Sequence, residues 1–125
     1  MRVIKIDPET RSVEAINSRT TYRAMRDLIG GPMTIAHVFP NEDVLYVDDE
    51  GLLKGPDPDT PYFFNIHAHQ PFAGRGIIVG KEIVTGDEHV TDDADLAGDA
   101  ETNLEYIKMI IKFYSRNELR SELNR

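Results

Sequence analysis

Apolar residues in this chain come in short runs separated by clusters of Asp, Asn, Gly and Pro, the spacing of strands and short helices. Val3, Ile4 and Ile6 mark a first strand over 2–6, and Asp7-Pro8-Glu9-Thr10 turns the chain. Ser12 to Ile16 reads as a second strand, so the two form a hairpin. Tyr22, Met25, Leu28 and Ile29 then recur at helical spacing, with Ser18 or Thr20 as the expected cap. Gly30-Gly31 followed by Pro32 stops this helix, and Arg19, Arg23 and Arg26 fall on its outer face.

Two further strands are expected at 33–39 and Val44–Val47, joined by the turn Pro40-Asn41-Glu42-Asp43. Asp48-Asp49-Glu50-Gly51 is a second turn, and the prolines of 54–61 exclude an interior helix or central strand there. Tyr62-Phe63-Phe64 continues that loop as a packing or binding surface. Gly76-Ile77-Ile78-Val79-Gly80 is continuously apolar, as a buried central strand is. Residues 86–101 are acidic and poor in large apolar side chains, which predicts a solvated connector. From Thr102 or Asn103, the stripe Leu104, Ile107, Ile111 and Tyr114, broadened by Met109, Ile110 and Phe113, predicts a helix over 102–114. Ser115 starts a short last helix with Leu119 and Leu123. Runs of strands with one inserted helix indicate an α+β fold: a small, mostly antiparallel sheet with an early helix and C-terminal helices packed on it. The divisions are a core at 1–90, an acidic connector at 91–101 and a helical segment at 102–125.

The 125 residues are one domain's worth, 40% hydrophobic and 29% charged. With no cysteine, the chain has no disulfide, thiolate metal site or cysteine nucleophile. No apolar run approaches the roughly 20 residues of a membrane helix, and the absence of cysteine fits a reducing cytoplasm, which is the expected location. The net charge of −8 repels nucleic acid on average, so a nucleic-acid partner is not expected. Basic residues gather at the two ends of the chain and would form a patch only where the ends meet.

Four stretches stand in the order of a known family. They are Leu28-Ile29-Gly30-Gly31, Tyr46-Val47-Asp48-Asp49-Glu50-Gly51-Leu52-Leu53-Lys54-Gly55, Asn65 after an apolar pair, and Phe72-Ala73-Gly74 followed by Gly76-Ile77-Ile78-Val79-Gly80. Over roughly residues 1–90 the pattern resembles domain of unknown function 3846, found in bacteriophages, plasmids and integrated elements. The chain departs from it after Asn65, where the family often has an arginine and this sequence has Ile66-His67-Ala68-His69. The resemblance implies a mobile-element origin and an accessory role in a bacterial cell; it implies no activity.

Candidate chemistry centres on residues 62–75. His67 and His69 would share one face of a strand and could reach one metal with Asp48, Asp49, His37 or His89. Nothing fixes that third ligand, so they read as loop histidines and no metal or cofactor is expected. Asp93-Ala94-Asp95-Leu96-Ala97-Gly98 begins like a calcium loop, but Ala97 and Leu104 stand where ligands are needed. Gly74, Gly76, Gly80 and Lys81 have the wrong spacing for a phosphate loop, and no G-x-S-x-G elbow occurs. Tyr62, Phe64, Asn65, His67, His69 and Arg75 are therefore the candidate ligand-binding residues, with no catalytic residue assigned. The expected function is a non-enzymatic binding protein acting on a host protein or small host metabolite. The alternatives are an acidic DNA mimic, and a small nucleotide-binding protein or metal-dependent hydrolase built on the 62–75 loop. A homodimer through the 102–114 helix is also expected.

Overall fold

In the computed structural model, which describes residues 1–50, 61–66, 71–83, 93–115, 117–118 and 121, the N-terminal alternation forms a hairpin of β1 (Arg2–Asp7) and β2 (Ser12–Asn17). Its register runs from Arg2 opposite Asn17 to Asp7 opposite Ser12, and Asp7 Oδ1 accepts the Glu9 N–H at 3.0 Å to hold the turn. Helix α1 (Tyr22–Ile29) follows. Its cap is Thr21, one residue past the expected Thr20, and the Thr21 hydroxyl accepts the Ala24 N–H at 3.1 Å. Thr20 is spent elsewhere: its buried hydroxyl donates to the Ala97 carbonyl at 2.5 Å. Gly30, at φ 92°, ends the helix as expected, because a left-handed C-cap favours a residue without Cβ. Met25 and Ile29 are buried, Arg23 and Arg26 are exposed, and Tyr22, expected on the inner stripe, is half exposed.

Strands β3 (Met33–Val38), β4 (Val44–Asp48) and β7 (Gly76–Val79) join the hairpin in an antiparallel sheet of order β2-β1-β7-β4-β3. The apolar run Ile77-Ile78-Val79 is thus the middle strand, fully buried on both faces. A second antiparallel sheet has the order β6-β5-β8, with β5 at Pro61–Ile66, β6 at Phe72–Ala73 and β8 at Ile111–Ser115. Pro61 takes the first position of β5, where a strand tolerates proline. The aromatic segment read as loop is therefore the central strand of this sheet.

Helix α2 (Leu104–Ile110) is shorter than the 102–114 expected, and the chain passes straight into β8. No Gly or Pro marks that boundary. Ile-Lys-Phe-Tyr suits a strand as well as a helix, and the open side of β5 supplies the backbone partners that decide it. Asn103 caps α2, its Oδ1 accepting the Tyr106 N–H at 3.2 Å. After β8, Ser115 and Glu118 exchange bonds, Glu118 N–H to Ser115 Oγ and Ser115 N–H to Glu118 Oε1, both at 3.1 Å. This reciprocal capping box bears out the start of a last helical turn at Ser115. Arg11 also pairs with Glu118, so the β1–β2 turn meets the residues that follow β8 through an ion pair.

The five-stranded sheet separates two cores. On one face Val3, Ile77 and Val79 pack with Met25 and Ile29 of α1. On the other, Ile4, Ile6, Leu45 and Ile78 meet Phe64 and Ile66 of β5 and Ile107 of α2. Each such fully buried side chain contributes about 1.5–3 kcal/mol.

The acidic stretch expected to run through solvent is packed over residues 93–102. Ala97 and Ala100 are buried. The Ala100 N–H donates to the Arg2 carbonyl at 2.8 Å, and the Leu96 N–H to the Thr20 carbonyl at 2.9 Å. Gly80 and Gly98 are locked together, Gly80 N–H to Gly98 carbonyl and Gly98 N–H to Lys81 carbonyl, both at 2.9 Å. A Cβ on Gly80 would lie 2.1 Å from the Asp99 carbonyl oxygen, so this close approach of backbone to backbone requires glycine.

Candidate functional site

The turn between β3 and β4 builds one wall of a cleft. The Phe39 N–H donates to the Asp43 carbonyl at 2.8 Å, and Glu42, at φ 74°, returns its N–H to the Phe39 carbonyl at 2.9 Å. Asn41 Oδ1 accepts the Asp43 N–H at 3.0 Å, the side-chain turn that Asn favours. The opposite wall is the approach to α2. The two are joined by Asp43, which is 1% exposed. Its Oδ2 accepts the Thr102 N–H at 2.7 Å, the Glu101 N–H at 2.9 Å and the Thr102 hydroxyl at 2.5 Å. Asn41 Nδ2 donates to Thr102 Oγ1 at 3.2 Å, which closes the network. A buried carboxylate is costly unless fully bonded, so these contacts fix both walls in one geometry.

The cleft between them has a volume of about 580 Å³. Val38, Pro40 and Tyr106 give it apolar surface, and His37 stands edge-on to Phe39 with ring centres 4.7 Å apart. Asn41 and Asn103 supply amides, and Glu101 places a carboxylate at the site. The Asn103 carbonyl is committed to capping α2, so the group it offers a ligand is its Nδ2 donor. Apolar walls with few polar groups are the usual make-up of a small-molecule seat. On the other side of Asp43, a hollow of about 370 Å³ takes Glu42, Asp99 and Lys81, and Lys81 pairs with Glu42 at 3.1 Å. Among the described residues no group of three His, Asp or Glu is placed to hold a metal.

The residues singled out from sequence lie elsewhere. Phe64 is wholly buried and would touch a Cβ on Gly76, whereas the Arg75 guanidinium lies beside Gly30 at the end of α1. Phe64 fills the core on the α2 side of the sheet while Arg75 reaches the end of α1, so the two do not meet on one ligand. Arg75 instead turns to Asp7 at 3.7 Å and Glu9 at 4.0 Å. Asn65 sits on β5 opposite Lys112. Tyr62 belongs to β5 in its backbone; its side chain, like His67, His69 and His89, lies outside the described residues. His37 and Asp48, both considered as a third metal ligand, are at opposite ends of the β3–β4 hairpin.

Sequence reasoning missed Asn41, Asn103 and Tyr106 as one site, although it placed Asn41 in a turn and Asn103 at a helix start. Their meeting depends on contacts some 60 residues apart in the chain, such as Asn41 to Thr102, and local spacing carries no sign of those.

Among the described residues, two carboxylates and one phenol have displaced acidities. The Thr20 N–H, aided by Arg19, holds Asp95 below the usual carboxylate range, and the Ser115 N–H, aided by Arg11, does the same for Glu118. Burial, with the nearby charge of Glu82, pushes the Tyr46 phenol above its ordinary value.

The chain belongs to the family described as Domain of unknown function (DUF3846), whose model matches residues 1–111. The match extends past residue 90, beyond the stretches that carry the resemblance in the sequence, and takes in the acidic stretch and α2. No curated protein and no solved structure matches the chain. No helix among the described residues is long and apolar enough to cross a membrane.

Proposed function

We propose that this domain is a binding protein without chemistry of its own, and that it holds a small host metabolite in the cleft between the β3–β4 turn and α2. In the setting suggested by the sequence resemblance it would serve a mobile element as an accessory protein in the bacterial cytoplasm. The observation that carries the reading is the Asp43 network, which spends a buried carboxylate on fixing two apolar walls in place. A preformed site avoids the ordering cost of binding. The composition of the cleft favours a flat, uncharged molecule bearing a carbonyl, its ring against Tyr106 and Val38 and its oxygen on Asn103 Nδ2. Glu101 disfavours an anion there.

Imitation of DNA has less support. Asp43, Asp95 and Asp99 all accept hydrogen bonds from this chain's own backbone, so they are not free to copy an array of phosphates.

The test is a nuclear magnetic resonance titration of the full chain with a panel of neutral ring-bearing metabolites. Binding is expected to shift the amides of Val38, Asn41, Asn103 and Tyr106. Asn103→Asp keeps the helix cap but removes the Nδ2 donor, and should weaken binding about tenfold, or about 1.4 kcal/mol. Shifts confined to residues 61–75, or an unchanged affinity in both Asn103→Asp and Tyr106→Ala, would overturn the assignment.

A further inference from the structure

We infer that the hollow on the far side of Asp43 from the cleft is a seat for an aliphatic diamine, a cation carrying two ammonium groups on one short chain. The hollow has a volume of about 370 Å³. Glu42, Asp43, Asp99 and Glu101 line it with carboxylates, and Lys81 supplies the single ammonium. Lys81 meets Glu42 at 3.1 Å. Among the described residues no cationic side chain pairs with Asp43, Asp99 or Glu101.

Acidic surface is ordinarily held by water alone, and Asp43 sets this hollow apart. Its side chain is 1% exposed, yet its three hydrogen bonds all end on Oδ2 and its Oδ1 accepts none. Among the described residues no sealed-off side-chain oxygen lacks a hydrogen bond, so Oδ1 keeps a narrow opening, and the hollow is what Asp43 lines. A carboxylate oxygen so nearly buried is costly without a donor, and an ammonium in the hollow would supply one. Asp99 stands ready in the same way. Its Oδ1 accepts the Arg2 N–H at 2.6 Å, which fixes the carboxylate, and its second oxygen is unbonded.

The spread of these groups selects the kind of cation. A compact divalent ion needs several oxygens at about 2.0–2.6 Å, and the described carboxylates do not converge in that way. Carboxylates distributed around a hollow suit a cation whose charge is distributed too. Each ammonium brings three donors, and joining two by a short chain makes the second contact intramolecular. Lys81 shows that an ammonium can sit at Glu42, and there it competes with the guest. The net charge of −8 draws such cations to the molecule. Asn41 and Glu101 border both the hollow and the cleft, but the inference does not depend on what the cleft holds.

Calorimetric titration of the full chain at constant ionic strength tests the seat. The probes are putrescine, butylamine, which carries the lone ammonium of a lysine side chain, and magnesium chloride. Putrescine should saturate with one molecule per chain and move the amide resonances of Lys81 and Asp99. Butylamine should bind about tenfold more weakly. Magnesium should not saturate. Lys81→Ala removes the competing ammonium and should tighten putrescine binding about threefold. Lys108→Ala removes the same charge from α2, where Lys108 pairs with Glu105, and should leave the affinity unchanged. Asp99→Asn should weaken binding about fivefold. Butylamine binding as tightly as putrescine would assign the hollow to a partner's lysine and overturn the proposal. So would magnesium binding as tightly, or equal affinities in Lys81→Ala and Lys108→Ala.

Discussion

Strand β7 and the segment 93–102 lie against each other and are ordered by opposite means. Strand β7 is held by exclusion of water, with Ile77, Ile78 and Val79 fully buried between two cores. The acidic segment has little apolar surface to bury, and is held by specific polar partners on strands and loops distant in sequence: Arg2, Thr20, Asp43 and Lys81. The first kind of order is non-directional and tolerates changes of shape. The second is directional, and each missing partner leaves a buried donor or acceptor unsatisfied. It is the second kind that shapes the cleft, because Asp43 ties the acidic segment to the β3–β4 turn.

The largest expected effect lies where the two segments touch. Gly80→Ala drives a methyl into the Asp99 carbonyl, where only backbone can yield, and should destabilise the domain by about 4 kcal/mol in urea unfolding. Ile78→Ala leaves a cavity in the core beside Phe64 and should cost about 3 kcal/mol. Asp43→Ala strands the donors of Glu101 and Thr102 and should cost about 2–3 kcal/mol. The two losses should differ in kind. Ile78→Ala should lower stability while leaving the cleft amides near their wild-type shifts, whereas Asp43→Ala should move those of Asn41, Thr102 and Asn103 even where the domain stays folded. If Asp43→Ala leaves those resonances in place, the contrast between the two segments fails.

Acidity sharpens the comparison with a smaller effect. Asp95 and Glu118 hold folded-state acidities below their unfolded values, so their contribution to stability is complete above the ordinary carboxylate range near pH 4. It is lost as pH falls through the depressed folded values. The thermal midpoint should therefore decline on acidification below about pH 4, and decline less steeply in Asp95→Asn. The smallest effect belongs to the exposed Lys81–Glu42 pair, where Lys81→Ala should cost under about 1 kcal/mol.

This division also explains what could be read from sequence. The β1–β2 hairpin, the Gly30 stop and the central strand at Gly76–Val79 were legible because apolar periodicity and turn residues are local signals. The end of α2 at Ile110 was not, since the stripe Leu104, Ile107, Ile111 and Tyr114 continues unbroken through it and only the partner strand β5 selects extended backbone. The acidic segment looked solvated because a scan for apolar side chains cannot register an aspartate bonded to a distant amide. Thr20 shows the same limit. A threonine before a helix reads as its cap, yet this one is buried against Ala97 and leaves capping to Thr21. The candidate residues at 62–75 drew notice for their side-chain chemistry, but Phe64 had a core to fill and Arg75 had Asp7 beside it.

Native-state hydrogen exchange tests the central claim most directly, because it reads each amide of the acidic segment by itself. The account predicts that the amides of Leu96, Gly98, Ala100 and Thr102 exchange slowly, with protection approaching that of Ile77 and Ile78, and that Asp43→Ala selectively releases Thr102 and Glu101. Exchange of residues 96–102 at the rate of an unstructured peptide, while β7 stays protected, would contradict it.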